Sequence, residues 1–167
     1  MNSFIQIRKR LPTQSKNGDF VVACSEMKTN ANISMLARSA SCLGAKRFII
    51  TGRNRIDNHI ARDFDIEVKH HQSLLPVVKK YKINGYKIIG LEQTTNSNNL
   101  YEYLFEDVPI LLIVGNEAKG MDQEVLDCLD EVIEIPLFGR PHSLNVAVAA
   151  TLCLFEYAKQ RNFREVK

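Results

Sequence analysis

The chain lacks a long hydrophobic run. Its most extended apolar stretches, Ile110–Val114 and 146–155, are too short or too interrupted to span a bilayer. The opening residues MNSFIQIRKRLP have no apolar centre of the kind a secretory signal needs, so a cytoplasmic location is the default expectation. Cysteine is sparse. Cys24, Cys42, Cys128 and Cys153 stand far apart, no CxxC occurs, and His70 and His71 form an isolated pair. Metal sites show tighter ligand spacing, so no metal is expected and the thiols read as reduced and mostly buried. A dominant charge is missing too. The net charge of +3 fits a solvated surface as well as a nucleic-acid binder. No linker rich in Pro, Gly or Ser and no internal repeat divides the 167 residues, which favours one domain with a single core.

The residues present are ordered as an α/β protein. Strands are expected at Phe20–Cys24, Arg47–Thr51, 66–69, 86–91, 109–114 and 132–135, each a short run rich in β-branched or aromatic residues. The run 109–114 is the most apolar and so reads as central. Helices are expected at 33–43 with Gly44 as stop, 56–64, 123–129 and 144–161, and from a Ser73 cap to about 84 with Gly85 as stop. Alternating strands and helices give a mainly parallel sheet, with ligands bound at the strands' carboxyl ends.

Three polar clusters lie just after strands. In the first, Ile33, Leu36, Ala37, Ala40 and Leu43 make one apolar helical stripe, with Ser34, Arg38 and Ser41 pointing away. A solvated face with Asn32 as its cap accounts for this spacing. The second, VGNEAKGMD, spaces Gly115 and Gly120 as a phosphate loop does. Met121 and Asp122 stand where that loop needs Lys and Ser/Thr, which argues against a nucleoside-triphosphate site. A tight turn, or a backbone approached closely by a ligand, remains. In the third, IPLFGRPHSLNVAVAA, Ser143 can cap the last helix. Asn145 then falls in the first turn, where asparagine is a mediocre helix former, and so reads as a ligand-facing residue. Ala147, Ala149 and Ala150 let that helix pack closely. Basic residues are uneven: Arg8, Lys9, Arg10 and Lys16 crowd the N-terminus, and Arg53 and Arg55 flank a polar turn, making a candidate phosphate-contacting patch.

Taken together, the clusters resemble the three motifs of the SpoU/TrmH branch of the SPOUT methyltransferases. The first motif is an asparagine followed six residues later by an arginine, here Asn32 and Arg38, with Ser34 where the family often has glycine. LLIVGNEAKGMD matches the second and IEIPLFGRPHSLNVAVAATLCLFE the third. The resemblance runs over about 20–161. GYKIIGLEQT is most similar to members that methylate a guanosine ribose in the tRNA D-loop.

This resemblance implies one catalytic domain over 1–167, with a basic segment at 1–19 and a C-terminal trefoil knot over about 109–155, assembled as a homodimer. It implies S-adenosylmethionine as cofactor, lined by Leu91, Gly115, Ile135, Leu137 and Leu144, and RNA 2′-O-ribose methylation, with tRNA as best substrate and rRNA as alternative. Arg38 is then the catalytic arginine. Asn32 and Glu117 orient it or the ribose, and Ser143 and Asn145 bond the same centre. A guanidinium rarely deprotonates, so stabilising a developing alkoxide and gripping a phosphate asks less of Arg38 than serving as base. Arg8, Lys9, Arg10 and Arg53 would meet RNA. A catalytically silent RNA-binding protein on the same scaffold, or an enzyme holding a nucleotide phosphate at 115–120, are the rival readings.

Overall fold

A computed structural model of the protein describes residues 19–56 and 64–162, together with Gln6. The expected helix at 56–64 and the basic residues Arg8, Lys9 and Arg10 lie outside the described residues. Seven strands form one sheet: β1 (Phe20–Cys24), β2 (Arg47–Thr51), β3 (Glu67–His71), β4 (Lys87–Leu91), β5 (Asn98–Asn99), β6 (Ile110–Val114) and β7 (Glu131–Glu134). Their order is β3-β2-β1-β6-β4-β7-β5, and every pairing is parallel. β6 is fully buried at the middle, as its composition demands. Phe20 pairs with Ile110 and Lys87 with Ile110, so β1 and β4 flank β6 in level register.

Helices cover both faces. α1 (Asn30–Cys42) packs with α4 (Val146–Asn162), and α2 (Leu74–Ile83) and α3 (Gln123–Leu126) take the other side. The pleat of β1 divides accordingly. Phe20, Val22 and Cys24 join the core beneath α1 and α4, while Val21 and Ala23 join the core beneath α2. Ala37 and Ala40 of α1 and Ala147 and Ala150 of α4 are wholly buried in the same cluster, and Thr151 Oγ1 lies 2.8 Å from Ser39 Oγ across the seam. Gln160 fixes the far end of α4. Its Nε2 donates to the Tyr103 carbonyl at 2.8 Å and its Oε1 accepts from Phe105 N–H at 3.0 Å.

The differences from the sequence reading concern helix ends. α1 begins at Asn30, because Thr29 in extended conformation caps it and its side chain accepts from Asn32 N–H at 3.3 Å. Asn32 is thus inside the first turn, and its side chain does not cap the helix. α4 begins at Val146, and its cap is Asn145, not Ser143. Asn145 Oδ1 accepts from Ala147 N–H at 2.9 Å and Val148 N–H at 3.2 Å. Ser73 sits at the cap position of α2 but makes no side-chain bond there. α3 ends at Leu126. Ser34 is buried under α1, and Cys42 is exposed although Cys24 and Cys153 are buried. Gly44 and Gly85 stop α1 and α2 with φ of 86° and 78°, conformations that favour glycine. β5 has no apolar signature and escapes sequence reading.

Candidate functional site

The neighbours β6, β4 and β7 deliver their carboxyl ends to one open cavity, closed on its far side by residues 143–149 at the start of α4. Leu91 follows from β4, Gly115 from β6, and Ile135 and Leu137 from β7, with Leu144 opposite. All five candidate cofactor residues therefore meet at this cavity. Glu117 and Ser143 line it too. Asn32, Arg38 and Asn145 do not.

The β6–α3 loop needs its glycines. Asn116 and Gly120 exchange two backbone hydrogen bonds of 2.9 Å, closing a tight loop. A Cβ on Gly115 would stand 2.9 Å from the Gly120 carbonyl carbon, backbone that cannot give way. Gly120 has φ +67°. The Asn116 side chain braces the loop from both ends. Its Oδ1 accepts from Ala118 and Lys119 N–H at 2.9 and 3.0 Å, and its Nδ2 donates to the Glu26 carbonyl at 2.6 Å. Turn and ligand-facing backbone are thus the same structure.

A relay of side chains joins the three clusters beside the cavity. Asn145 Nδ2 donates to Asn32 Oδ1 at 3.1 Å, and Asn32 Nδ2 donates to Glu117 Oε1 at 2.6 Å. Lys28 N–H donates to Glu117 Oε2 at 2.9 Å. Burial alone would push the Glu117 carboxyl up, but the bonds from Lys28 N–H and the Asn32 amide outweigh it and hold the group below its ordinary value. Glu117 is therefore a fixed carboxylate near neutral pH and a poor proton acceptor. Asn145 serves both helix and relay, so the choice between capping and site residue dissolves.

Arg38 is exposed on α1, two turns beyond Asn32, with no hydrogen bond or ion pair among the described residues. Within one chain it is not part of the cavity wall. Arg53 is 93% exposed and paired with Glu26 at 3.1 Å. Ser143 is exposed and lines the cavity with no hydrogen-bond partner among the described residues.

Two lining residues escaped the sequence reading. Glu92 and Glu134 join Glu117 as carboxylates in the wall, and among the described residues no Lys, Arg or His lines the cavity. Glu92 Oε2 lies where a Cβ on Gly115 or Gly120 would come within 2.8 Å, so the carboxylate rests on the glycine loop, and it has no cationic partner among the described residues. Its place directly after β4 in GLEQT was the available signal. Apolar walls that carry carboxylates, two of them without a cationic partner among the described residues, suit a ligand with an apolar body and a positive charge. A second hollow, between β3 and α2, is lined instead by Arg47, Lys69, His71 and Lys80. Among the described residues, no group of three or more His, Cys, Asp and Glu could hold a metal ion.

Known proteins share this architecture. The tRNA modifying enzyme TrmH/SpoU of A. aeolicus superposes with a TM-score of 0.80 at 24% identity, over 90% of this chain and 79% of that one. The SpoU methyltransferase AviRb of Streptomyces viridochromogenes, solved in complex with the cofactor AdoMet, superposes with a TM-score of 0.73 at 27% identity, over 86% of this chain and 58% of that one. In sequence, the mouse tRNA (guanosine(18)-2′-O)-methyltransferase TARBP1 is 30% identical over 84% of this chain, which spans only 9% of that protein. The tRNA (guanosine(18)-2′-O)-methyltransferase of Aquifex aeolicus is 28% identical over 92% of this chain and 75% of its own length. The SpoU rRNA Methylase family matches residues 19–155. With this match over most of its length, and with the same fold, the chain belongs to the SpoU rRNA methylase family.

Proposed function

We propose that the protein is an S-adenosylmethionine-dependent RNA 2′-O-ribose methyltransferase acting on tRNA in the cytoplasm. The observation that carries this reading is the cavity at the ends of β4, β6 and β7, with three carboxylates and no base in its lining. S-adenosylmethionine fits that donor set. Its adenosine suits Leu91, Ile135, Leu137 and Leu144, its cationic groups suit the carboxylates, and the loop of Gly115 admits a close backbone approach. When bound, it supplies an electrophilic methyl group on a sulfonium.

The chain's own residues have separate tasks. Asn145, Asn32 and Glu117 lock α4, α1 and the β6 loop into one frame, so the cavity mouth keeps its shape as RNA arrives. The Arg38 guanidinium is exposed and its side chain has no partner among the described residues. It stabilises the alkoxide that develops on the ribose and holds the adjoining phosphate. Glu117 keeps the frame and does not take the proton, which passes from the 2′-hydroxyl to the adjoining RNA phosphate or to solvent as the methyl is transferred.

Homodimer formation belongs to the same proposal. Val148, Leu152 and Phe155 are 42–55% exposed, at helical spacing on one side of α4, with Leu144 just before the helix 39% exposed and Met35 of α1 49% exposed. Arg38 stands one turn from Met35, so a second chain on this surface would bring Arg38 against its partner. The expected trefoil knot over about 109–155 belongs to the proposal too, supported by the family match.

Incubating the protein with methyl-labelled cofactor and total RNA, then mapping 2′-O-methylation, tests the reading. Label on a guanosine ribose in tRNA loops supports it. Label confined to rRNA changes the substrate. Cofactor binding without label in any RNA means a silent scaffold.

A further inference from the structure

Residues 136–145 join β7 to α4 and overhang the cavity, which Leu137, Ser143 and Leu144 line. Between these, Phe138 is 95% exposed. Arg140, Pro141 and His142 are exposed beside it. Among the described residues, none of the side chains of 138–143 has a hydrogen bond, ion pair or ring contact. A Cβ on Gly139 would meet nothing within 4 Å, so the backbone next to Phe138 also faces open space.

A lone exposed apolar residue is ordinary; its position gives this one meaning. Phe138 stands at the rim of the cavity that the target ribose has to reach. Leu137 beside it turns to the cavity, and its exposed neighbours include the cation Arg140 and the polar ring of His142. Protein interfaces bury apolar cores depleted of charge, and the apolar stripe on α4 fits that description better than this loop does. An aromatic face flanked by Arg and His fits a base stacked between phosphates, the way single-stranded RNA is held.

We infer that Phe138 is a stacking platform for a base of the substrate RNA, at or beside the nucleotide whose ribose enters the cavity, with Arg140 and His142 holding the neighbouring phosphates. The inference rests on the RNA methyltransferase reading and adds how the substrate is gripped. Stacking needs the target in a loop or single strand, where a base can leave its neighbours, and excludes a uniform duplex as substrate.

The chain has no tryptophan. Phe138→Trp therefore places a sole indole at the platform. Its fluorescence should be quenched by tRNA and by an unstructured oligoribonucleotide, but not by heparin, a polyanion without bases. Phe138→Ala should weaken RNA binding about 5- to 100-fold, leave S-adenosylmethionine affinity and oligomeric state unchanged, and be rescued by Phe138→Tyr. Unquenched indole fluorescence when RNA is bound, or unaltered RNA affinity in Phe138→Ala, overturns the inference. So does a change of oligomeric state in Phe138→Ala, which would make the loop a protein contact. If wild type methylates RNA and Phe138→Ala does so with the same KM, only this inference falls. If wild type binds no RNA at all, the functional reading falls with it.

Discussion

The two ends of the sheet treat charge in opposite ways. At the amino ends of the strands, charges are paired. Asp19 before β1 meets Lys46 before β2, Lys87 at the start of β4 meets both Glu106 and Glu131, Lys82 meets Asp130, and Arg161 meets Asp107. At the carboxyl ends Glu26 and Arg53 form an exposed pair, but among the described residues Glu92, Glu117 and Glu134 line a cavity with no basic side chain, and Arg38 on α1 has no side-chain partner. The sheet and its flanking cores are common to both ends, so folding alone does not explain the contrast. Uncompensated charge costs stability unless a ligand answers it. On the function proposed above, the amino end serves the fold and the carboxyl end a bound partner.

Substitutions at the two ends should therefore fail differently. Arg38→Ala should have the largest effect, a loss of turnover of about 100- to 1,000-fold, with S-adenosylmethionine affinity and Tm close to wild type, measured by single-turnover methyl transfer, calorimetry and thermal melting. Retention of most activity would remove Arg38 from the site. Lys87→Met should do the reverse. It strands the Glu106 and Glu131 carboxylates around a side chain only 14% exposed. The expected cost is about 1–3 kcal/mol of stability, read by urea unfolding, with cofactor affinity unchanged.

Acid sharpens the same contrast. Burial pushes the Glu131 carboxyl up, and the Lys87 ammonium beside it more than reverses this, holding it below its ordinary value. Asp130 is likewise lowered, its burial outweighed by the Lys82 ammonium and Ile88 N–H. A carboxyl depressed in the folded state adds stability above its unfolded pKa, about 4. That contribution fades as pH falls through the folded value. Wild type should lose Tm below about pH 4, and Lys87→Met should lose less over the same range.

Asn32→Ala should come next. It removes both relay bonds, leaving Glu117 with Lys28 N–H alone and Asn145 with its capping role. About 1–2 kcal/mol should appear, mostly as reduced turnover rather than lost cofactor affinity; equal loss of both would mean that the relay shapes the cavity itself. Arg53→Ala should have the smallest effect. Its exposed pair with Glu26 is worth under about 1 kcal/mol, and RNA affinity should fall only a few-fold, more at low salt than at high salt.

The apolar strands were legible because FVVAC, RFIIT and PILLIV admit little else. β5 was not, since Asn98 and Asn99 carry no β signature and join the sheet only through β7. Helix starts were ambiguous for a related reason. Thr29, Asn30 and Asn32, and again Ser143 and Asn145, are all good caps, and tertiary contacts decide which is used. The motif spacing brought Asn32, Glu117 and Asn145 into view, but not that they bond to one another. Glu134 ends a strand in which Glu131 also occurs, so from sequence it reads as an ordinary solvent-facing residue. The outward position of Arg38 was legible, because the apolar stripe of Ile33, Leu36, Ala37 and Ala40 leaves it on the opposite face of α1; the burial of Ser34 was not, since it depends on how α1 packs.

The most direct test of a carboxyl-end site is where the methyl donor binds. A crystal structure of the wild-type protein grown with S-adenosylmethionine should show it between Leu91, Gly115, Ile135, Leu137 and Leu144, with a cationic group toward Glu92 or Glu134. Density in the basic hollow between β3 and α2, or an empty cavity at saturating cofactor, would contradict it.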